Sequence, residues 1–372
     1  MVNVQITRLA SRRDTPNPPL NAAVNGGATT NDPRTQRHET PHPAAPPDIN
    51  HPMPELRVEV TPPWPFRLPG GSADGLLRRK GASLQRLLHK HGAPVHVAVI
   101  QPAPDRVIFG ARADSEPDAM WGIRRLRFAT GVDDDLRPFY DAFRDDLVIG
   151  KAVRAVPELR IRRAALPWET LAAAITEQLI EFERAIAIQR RMIAKLGIRC
   201  PATGLRDAPP PAVVAGTAPA RLAAMDLAPA RALTLRRAAA EVASGRVDLL
   251  AADPMPGWRR LRAIAGIGPW TLEMLATYGQ GRFDRIPAGD VGYLKLIGRV
   301  TTGNPQARAE IPEVHEFFAP YGGWKGLAGE YLRLACARGL LPVSPVRARS
   351  ADRGPRRPGT RWSAPARRSA AA

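Results

Sequence analysis

At 372 residues the chain is long enough for two or three domains and a sizeable core. Lys+Arg 54 against Asp+Glu 35 gives a formal net charge of +19 and a pI near 11.1, which suits a polyanionic partner, nucleic acid before an anionic membrane. No apolar run approaches the roughly 20 residues that span a bilayer, no apolar leader marks a secretory signal, and two cysteines, Cys200 and Cys336, argue against a disulfide framework and for a reducing cytoplasm.

Residues 1–54 are rich in Pro, Asn, Thr and Ala with little apolar periodicity, so this extension is expected to be disordered. Order is expected to begin at Glu55–Val60, whose alternation reads as a strand, followed by a Pro-rich turn around Trp64 and Phe66. Further strands are predicted at Val95–Ile100 and Val107–Ala111, and helices at Ala119–Phe128 and Leu136–Asp146. Strands flanked by helices predict a small antiparallel α+β domain over 55–148.

From 149 to 342 the pattern is helical. Pro167 opens one long predicted helix, with Leu171, Ile175, Leu179, Phe182, Ile186, Ile193 and Leu196 at helical spacing. A Pro-rich connection at 201–219 leads to helices at Ala220–Met225 and Pro229–Ser244. Next come two apolar stripes, Leu261 with Ile264 and then Leu272 with Leu275 and Ala276, joined by Gly266-Ile267-Gly268-Pro269. Both glycines can take positive φ and let another backbone approach, and Pro269 suits a first helical position. The free N–H groups there form a site for an anion such as a phosphate, with Ile267 as the apolar plug that ties the hairpin to the body. A further helix follows Asp290, and the last runs over Trp324–Gly339. From 343 the chain is a basic, Pro-rich tail, expected to be disordered, in which eight arginines between Arg347 and Arg368 face one acid, Asp352.

A short Gly-x-Gly turn is a weak signal by itself. The whole succession, helix, Gly266-Ile267-Gly268-Pro269-Trp270-Thr271, helix, Pro287-Ala288-Gly289-Asp290, helix, resembles the helix-hairpin-helix DNA glycosylases, and among them the 3-methyladenine glycosylase II type. The likeness covers about residues 55–342. It implies a helical body behind a small antiparallel-sheet domain, and a monomer acting on double-stranded DNA that contains a damaged base. It implies hydrolysis of the N-glycosidic bond of alkylated bases. No membrane, no organic cofactor and no side-chain metal site are expected, and two cysteines are too few for the iron–sulfur cluster of some relatives. A monovalent cation on the hairpin carbonyls would accord with the family.

Carried onto this sequence, the resemblance makes Asp290 the catalytic acid, able to stabilise positive charge developing on the deoxyribose. From spacing alone Asp290 reads equally as a helix N-cap, and both roles can coexist. Asp284 is the competing acid. Bifunctional relatives carry a lysine where this chain has Trp270, and an indole forms no imine, so no strand-nicking step is implied. Trp270 offers a π-face to a base, with Phe66 and Met274 as further pocket candidates. Gly266, Ile267, Gly268 and Thr271 form the DNA-binding hairpin. Gln178 and Leu179 match the wedge that fills the gap behind a flipped nucleotide. Leu179 also fits its helix's apolar stripe, and no Gly or Pro breaks the helix there, so core packing is the stronger reading from sequence. Met274, Val291 and Arg333 stand where aromatic residues are expected, which leaves the base preference open.

The alternative is a non-catalytic helix-hairpin-helix DNA-binding protein, for which the hairpin and basic surface suffice. On either reading the tail adds sequence-independent phosphate contacts. Deleting residues 346–372 is therefore expected to lower affinity for undamaged duplex and to flatten its salt dependence. An unchanged slope of binding constant against salt would show that the tail does not touch DNA.

Overall fold

The computed structural model describes residues 4–8 and 55–342. An antiparallel sheet comes first: β1 Val4–Arg8, β2 Glu55–Val60, β3 Leu77–Lys80, β4 Ser83–Lys90, β5 Ala93–Ala103 and β6 Arg106–Arg112, in spatial order β1-β2-β6-β5-β4-β3. Alternation turns Leu56, Val58 and Val60 inward, and Val58 pairs with Phe109 on β6. Helix α1, Glu116–Thr130, covers this face and buries Ala119, Ile123 and Leu126 against Val95, Val97 and Phe109. Ser115 caps its start by accepting the Asp118 N–H, and Gly131 at φ 68° ends it in the left-handed conformation.

The sheet departs from expectation in two places. Strands β3 and β4 are not legible in the sequence, because an arginine, Arg86, occupies an inward position of β4 between Leu84 and Leu88. Val4–Arg8 pairs along β2, so part of the extension expected to be disordered is an edge strand; β2 presents an unpaired backbone edge that an alternating segment can cover. The rest of 1–54 and the tail from 343 lie outside the described residues.

The helices form two clusters. One gathers α4 Pro167–Glu177, α5 Phe182–Leu196, α6 Pro211–Gly216, α7 Pro219–Ala223, α8 Pro229–Ala243 and α9 Met255–Arg262 around Leu171, Ile188, Leu235 and Leu261. The other gathers α2 Arg137–Phe143, α3 Gly150–Ala155, α11 Val291–Thr302, α12 Ile311–Phe318 and α13 Lys325–Ala337 around Phe139, Tyr293, Phe318 and Tyr331. Helix α10, Pro269–Met274, continues into a π-helical turn, Leu275–Gly279, whose Leu275 and Ala276 bury in the first cluster. The sheet unit was expected to extend to 148. Instead Phe139 stacks on Tyr331 with centroids 5.2 Å apart, and Phe143 meets Tyr321 at 5.1 Å. The aromatic side chains of α2 therefore find their partners near the C-terminus, and the chain crosses to the second cluster before returning to build the first.

The expected long helix from Pro167 to Leu196 is broken at 178–181. No glycine or proline does this; side chains from elsewhere do. Arg231 donates from Nη1 to the carbonyls of Gln178 (2.6 Å) and Thr176 (3.3 Å), and Gln189 donates to Thr176 Oγ1 and Glu177 Oε1. Arg231 takes the carbonyls a continuing helix would have bonded, and Gln189 fixes the neighbouring side chains. Leu179 takes φ +57° and stands fully exposed, a conformation that costs a leucine about 1–2 kcal/mol.

Sheet and helices are tied through charge. Arg86, 2% exposed, donates from Nη2 to Glu169 Oε1 on α4 (2.6 Å) and Asp207 Oδ1 (2.9 Å), while His89 Nδ1 lies 2.9 Å from Asp207 Oδ2. Burial raises the Glu169 carboxyl despite Arg86, and Asp207 adds to the rise. Removing the one cation shared by two buried carboxylates is expected to cost about 3–5 kcal/mol. In urea titrations Arg86→Met should lower the unfolding midpoint, and Arg86→Met/Glu169→Gln should lower it less. Equal midpoints for wild type and Arg86→Met would show that this network does not hold sheet to helices.

Candidate active site

The hairpin forms as its residues demand, with one difference between its glycines. Gly266 has φ +91°, and a Cβ there would lie 2.6 Å from Thr234 Oγ1 on α8. Gly268 is extended at φ −101°, ψ −177°, and nothing lies within 4 Å of where its Cβ would be. Positive φ is thus a requirement at Gly266 alone, and at Gly268 the missing side chain leaves open space. Ile267, 4% exposed, plugs into the first helical cluster as expected. Among the described residues, the N–H groups of Gly268, Trp270 and Thr271 meet no acceptor. Arg259 and Arg262 on α9 are exposed beside the turn.

Thr271 does not serve as an outward contact. It is 1% exposed, and its Oγ1 accepts from Gln178 Nε2 at 3.0 Å. The same Gln178 amide donates to Gly266 O at 2.7 Å, so Gln178 locks the broken helix to the hairpin and leaves Leu179 to project alone. Ala265 O accepts from Thr234 Oγ1 at 2.8 Å.

Asp290 ends the loop between the hairpin helix and α11. Its Oδ1 accepts from Gly292 N–H at 2.8 Å, which caps α11, and from Arg333 Nη2 on α13 at 3.0 Å. Its Oδ2 has no partner among the described residues, and the side chain is 26% exposed. The cap reading is therefore correct, and the cap fixes where the free oxygen points. Arg333 lies over the Tyr293 ring, 4.2 Å from its centroid. Desolvation opposes its charge, but Tyr293, Tyr278, Glu330 and Asp290 outweigh that and hold its pKa above the ordinary value. Asp284, the competing acid, is taken up by Arg282 at 3.2 Å and Arg285 at 3.3 Å.

Trp270 is half-buried, with its Cβ where a Cβ on Gly289 would meet it at 3.5 Å, so the ring's helix backs directly onto the Asp290 loop. Its Nε1 is buried without a hydrogen-bond partner. Met274 is half-buried one turn further on. Phe66 is a correction: at 6% exposure it belongs to the sheet core beneath the Arg160 guanidinium, 5.0 Å away, and has no contact with the Asp290 cluster. Its ring is used in packing because the Pro-rich turn folds it inward. Sequence reasoning noted Arg333 only as a missing aromatic and did not find Glu273, whose Oε2 accepts the Ala288 N–H at 3.1 Å. Neither contact leaves a local signal, since each joins elements many residues apart.

The architecture matches solved structures along most of its described length. The 3-methyladenine DNA glycosylase of Archaeoglobus fulgidus superposes with a TM-score of 0.64 at 17% identity, covering 74% of this chain and 97% of that one. The fold is that of the helix-hairpin-helix DNA glycosylases. The 8-oxoguanine glycosylase/lyase of Clostridium acetobutylicum, solved with DNA, gives a TM-score of 0.57 at 15% identity over 76% of this chain and 96% of that one. In sequence, a probable bifunctional transcriptional activator/DNA repair enzyme AlkA of Mycobacterium tuberculosis is 28% identical over 245 residues, 63% of this chain and 47% of that protein. The chain thus spans about half the length of the curated relatives it matches. No protein-family model matches it. No helix among the described residues is long and apolar enough to cross a membrane.

Within this glycosylase fold the two hairpin glycines are expected to fail differently when changed. Gly266→Ala forces a side chain against Thr234 at an unfavourable φ and should cost about 1–3 kcal/mol in thermal or urea unfolding. Gly268→Ala should leave stability within about 0.5 kcal/mol. Equal costs at the two positions would contradict the turn geometry described.

Proposed function

We propose that the protein is a monofunctional DNA glycosylase that hydrolyses the N-glycosidic bond of alkylated bases, of the 3-methyladenine and 7-methylguanine type, in base excision repair. The carrying observation is Asp290: one oxygen is fixed by Gly292 N–H and Arg333, and the other has no partner among the described residues in a partly exposed side chain. A carboxylate held in this way can stabilise the charge that builds on the sugar as the base departs, and can orient or deprotonate the attacking water. Likeness of fold to glycosylases supports the reading. Trp270 in the lysine position supports hydrolysis without an imine, since an indole nitrogen is no nucleophile.

On this reading the open N–H groups at Gly268 and Trp270, with Arg259 and Arg262, meet DNA phosphates and position the duplex without reading bases. Leu179, strained and exposed at the break between α4 and α5, enters the stack to fill the space of the flipped nucleotide. An exposed leucine held in an unfavourable conformation by Arg231 and Gln178 is better explained by such a task than by packing. The protein is taken to work as a monomer on damaged duplex DNA, in the cytoplasm at the nucleoid.

The reading of a non-catalytic DNA-binding protein is favoured by one observation, the use of Asp290 Oδ1 in a helix cap and an ion pair. The two readings separate on methylated duplex DNA. Asp290→Asn is expected to lower single-turnover base release by at least about 10²–10³-fold, with equal or better DNA affinity, since a negative charge near phosphates is removed. The product should be an intact abasic strand, and borohydride should trap no protein–DNA adduct. Parallel loss of affinity and activity would assign Asp290 a folding role, and a trapped adduct would refute the monofunctional reading.

A further inference from the structure

The loop that carries Asp290 is short, and its own hydrogen bonds are local. Ala288 N–H reaches Ile286 O at 2.8 Å, and Asp290 N–H reaches Pro287 O at 2.9 Å. Both are tight local turns, and Ile286 and Ala288 are buried in the second cluster. The side chain that fastens the loop from outside is Glu273 on α10, whose Oε2 accepts the Ala288 N–H at 3.1 Å. One helical turn earlier on the same helix, Trp270 lies against Gly289. The Glu273 side chain is 18% exposed, a costly place for a carboxylate whose only backbone partner is one N–H. A residue chosen for packing alone would be apolar, and one chosen for a surface ion pair would be exposed.

We propose that Glu273 is a positioning residue for Asp290: its carboxylate anchors Ala288 to the hairpin helix and so fixes the direction in which the Asp290 carboxylate points. This rests on the reading of Asp290 as the catalytic acid. Reacting groups misplaced by about 1 Å can lose about 10²-fold in rate, and Ala288 lies two residues from Asp290. The anchor is also titratable. Burial pushes the Glu273 carboxyl up to about 7, against the pull of the Ala288 N–H and of Arg285. His315 on α12 approaches Glu273 Oε1 at 3.7 Å. Burial, Lys325 and Arg285 hold His315 below the ordinary histidine value. The charged form of Glu273 makes the stronger bond to Ala288, so this bond weakens as pH falls through about 7, while protonation relieves the burial cost that raised the carboxyl.

The test uses the full chain, with Glu273→Ala, Glu273→Gln and Asp290→Asn beside wild type. Probes are dimethyl-sulfate-treated duplex for single-turnover base release and abasic-site duplex for affinity; hydrogen exchange is read at the Ala288 amide. Glu273→Ala should lower the release rate about 10–10²-fold, leave abasic-site affinity unchanged and lower the Ala288 protection factor. Glu273→Gln mimics the protonated side chain, so it should trail wild type at pH 8 and converge with it near pH 6. Ala288 protection unchanged in Glu273→Ala overturns the anchor whatever the activity shows. So does a wild-type release rate in Glu273→Ala while Asp290→Asn is inactive, or a wild-type to Gln rate ratio that is flat between pH 6 and 8. An Asp290→Asn variant as active as wild type would instead refute the catalytic reading beneath the proposal, and the exchange result would still decide whether Glu273 holds the loop.

Discussion

The close approach of Gly266 to Thr234 sets the rest of the site. Helix α9 must reverse within a few residues so that α10 can run back past it, and the reversal needs a left-handed residue with no Cβ, since Thr234 Oγ1 occupies that space. Once the turn is made, Thr234 takes the Ala265 carbonyl and Gln178 takes that of Gly266. The same Gln178 reaches Thr271, so the end of α4, the turn and the start of α10 become one hydrogen-bonded unit. Ile267 then pins that unit into the core of the first cluster. A single backbone requirement thus places the open N–H groups, the projecting Leu179 and the helix that carries Trp270 and Glu273.

What the sequence shows and hides follows from the range of the interactions involved. Local chemistry was legible: Ile267 as the plug, Pro269 as the first helical residue, Asp290 as a cap, the α+β order of the chain. The continuous helix through Leu179 was the wrong expectation for a physical reason. Its apolar spacing is genuine, but Arg231, 52 positions after Leu179, captures the carbonyls at the end of α4, and no local pattern announces that. Strand β4 was hidden by the inverse case, an inward arginine whose acids, Glu169 and Asp207, lie far along the chain. Phe66 is weighed as a pocket wall for its ring alone, whereas the ring's surroundings are the sheet core and Arg160. In β4 a charged residue inside the fold disguises the period by which elements are recognised.

Around Asp290 the charges are arranged to leave one oxygen available. Gly292 N–H and Arg333 both address Oδ1, which orients the carboxylate while Oδ2 stays without a partner among the described residues. Arg333 is in turn placed by the Tyr293 face, 4.2 Å below it, and Tyr278 donates to Glu330 at 2.7 Å in the same neighbourhood. Acid and base thus alternate locally although the chain carries +19 overall. A basic surface draws phosphate in, and the Asp290 charge, already shared with Arg333, repels it little.

The same arrangement bears on which base the site would take. An electron-rich ring attracts a cationic N-alkylpurine by its face, but a face can hold one cation at a time. Tyr293 is fully buried and its face is already covered by Arg333, so it is not available to a substrate. Phe66 is committed to the sheet core. Of the aromatic rings weighed as walls, Trp270 alone remains, half-buried on the helix against which the Asp290 loop rests. On the proposed reading Trp270 supplies the π-face for the base, while the charge of Arg333 opposes that of an alkylated purine. Stacking on Trp270 and the negative charge of Asp290 must then outweigh that repulsion for a cationic base to be held.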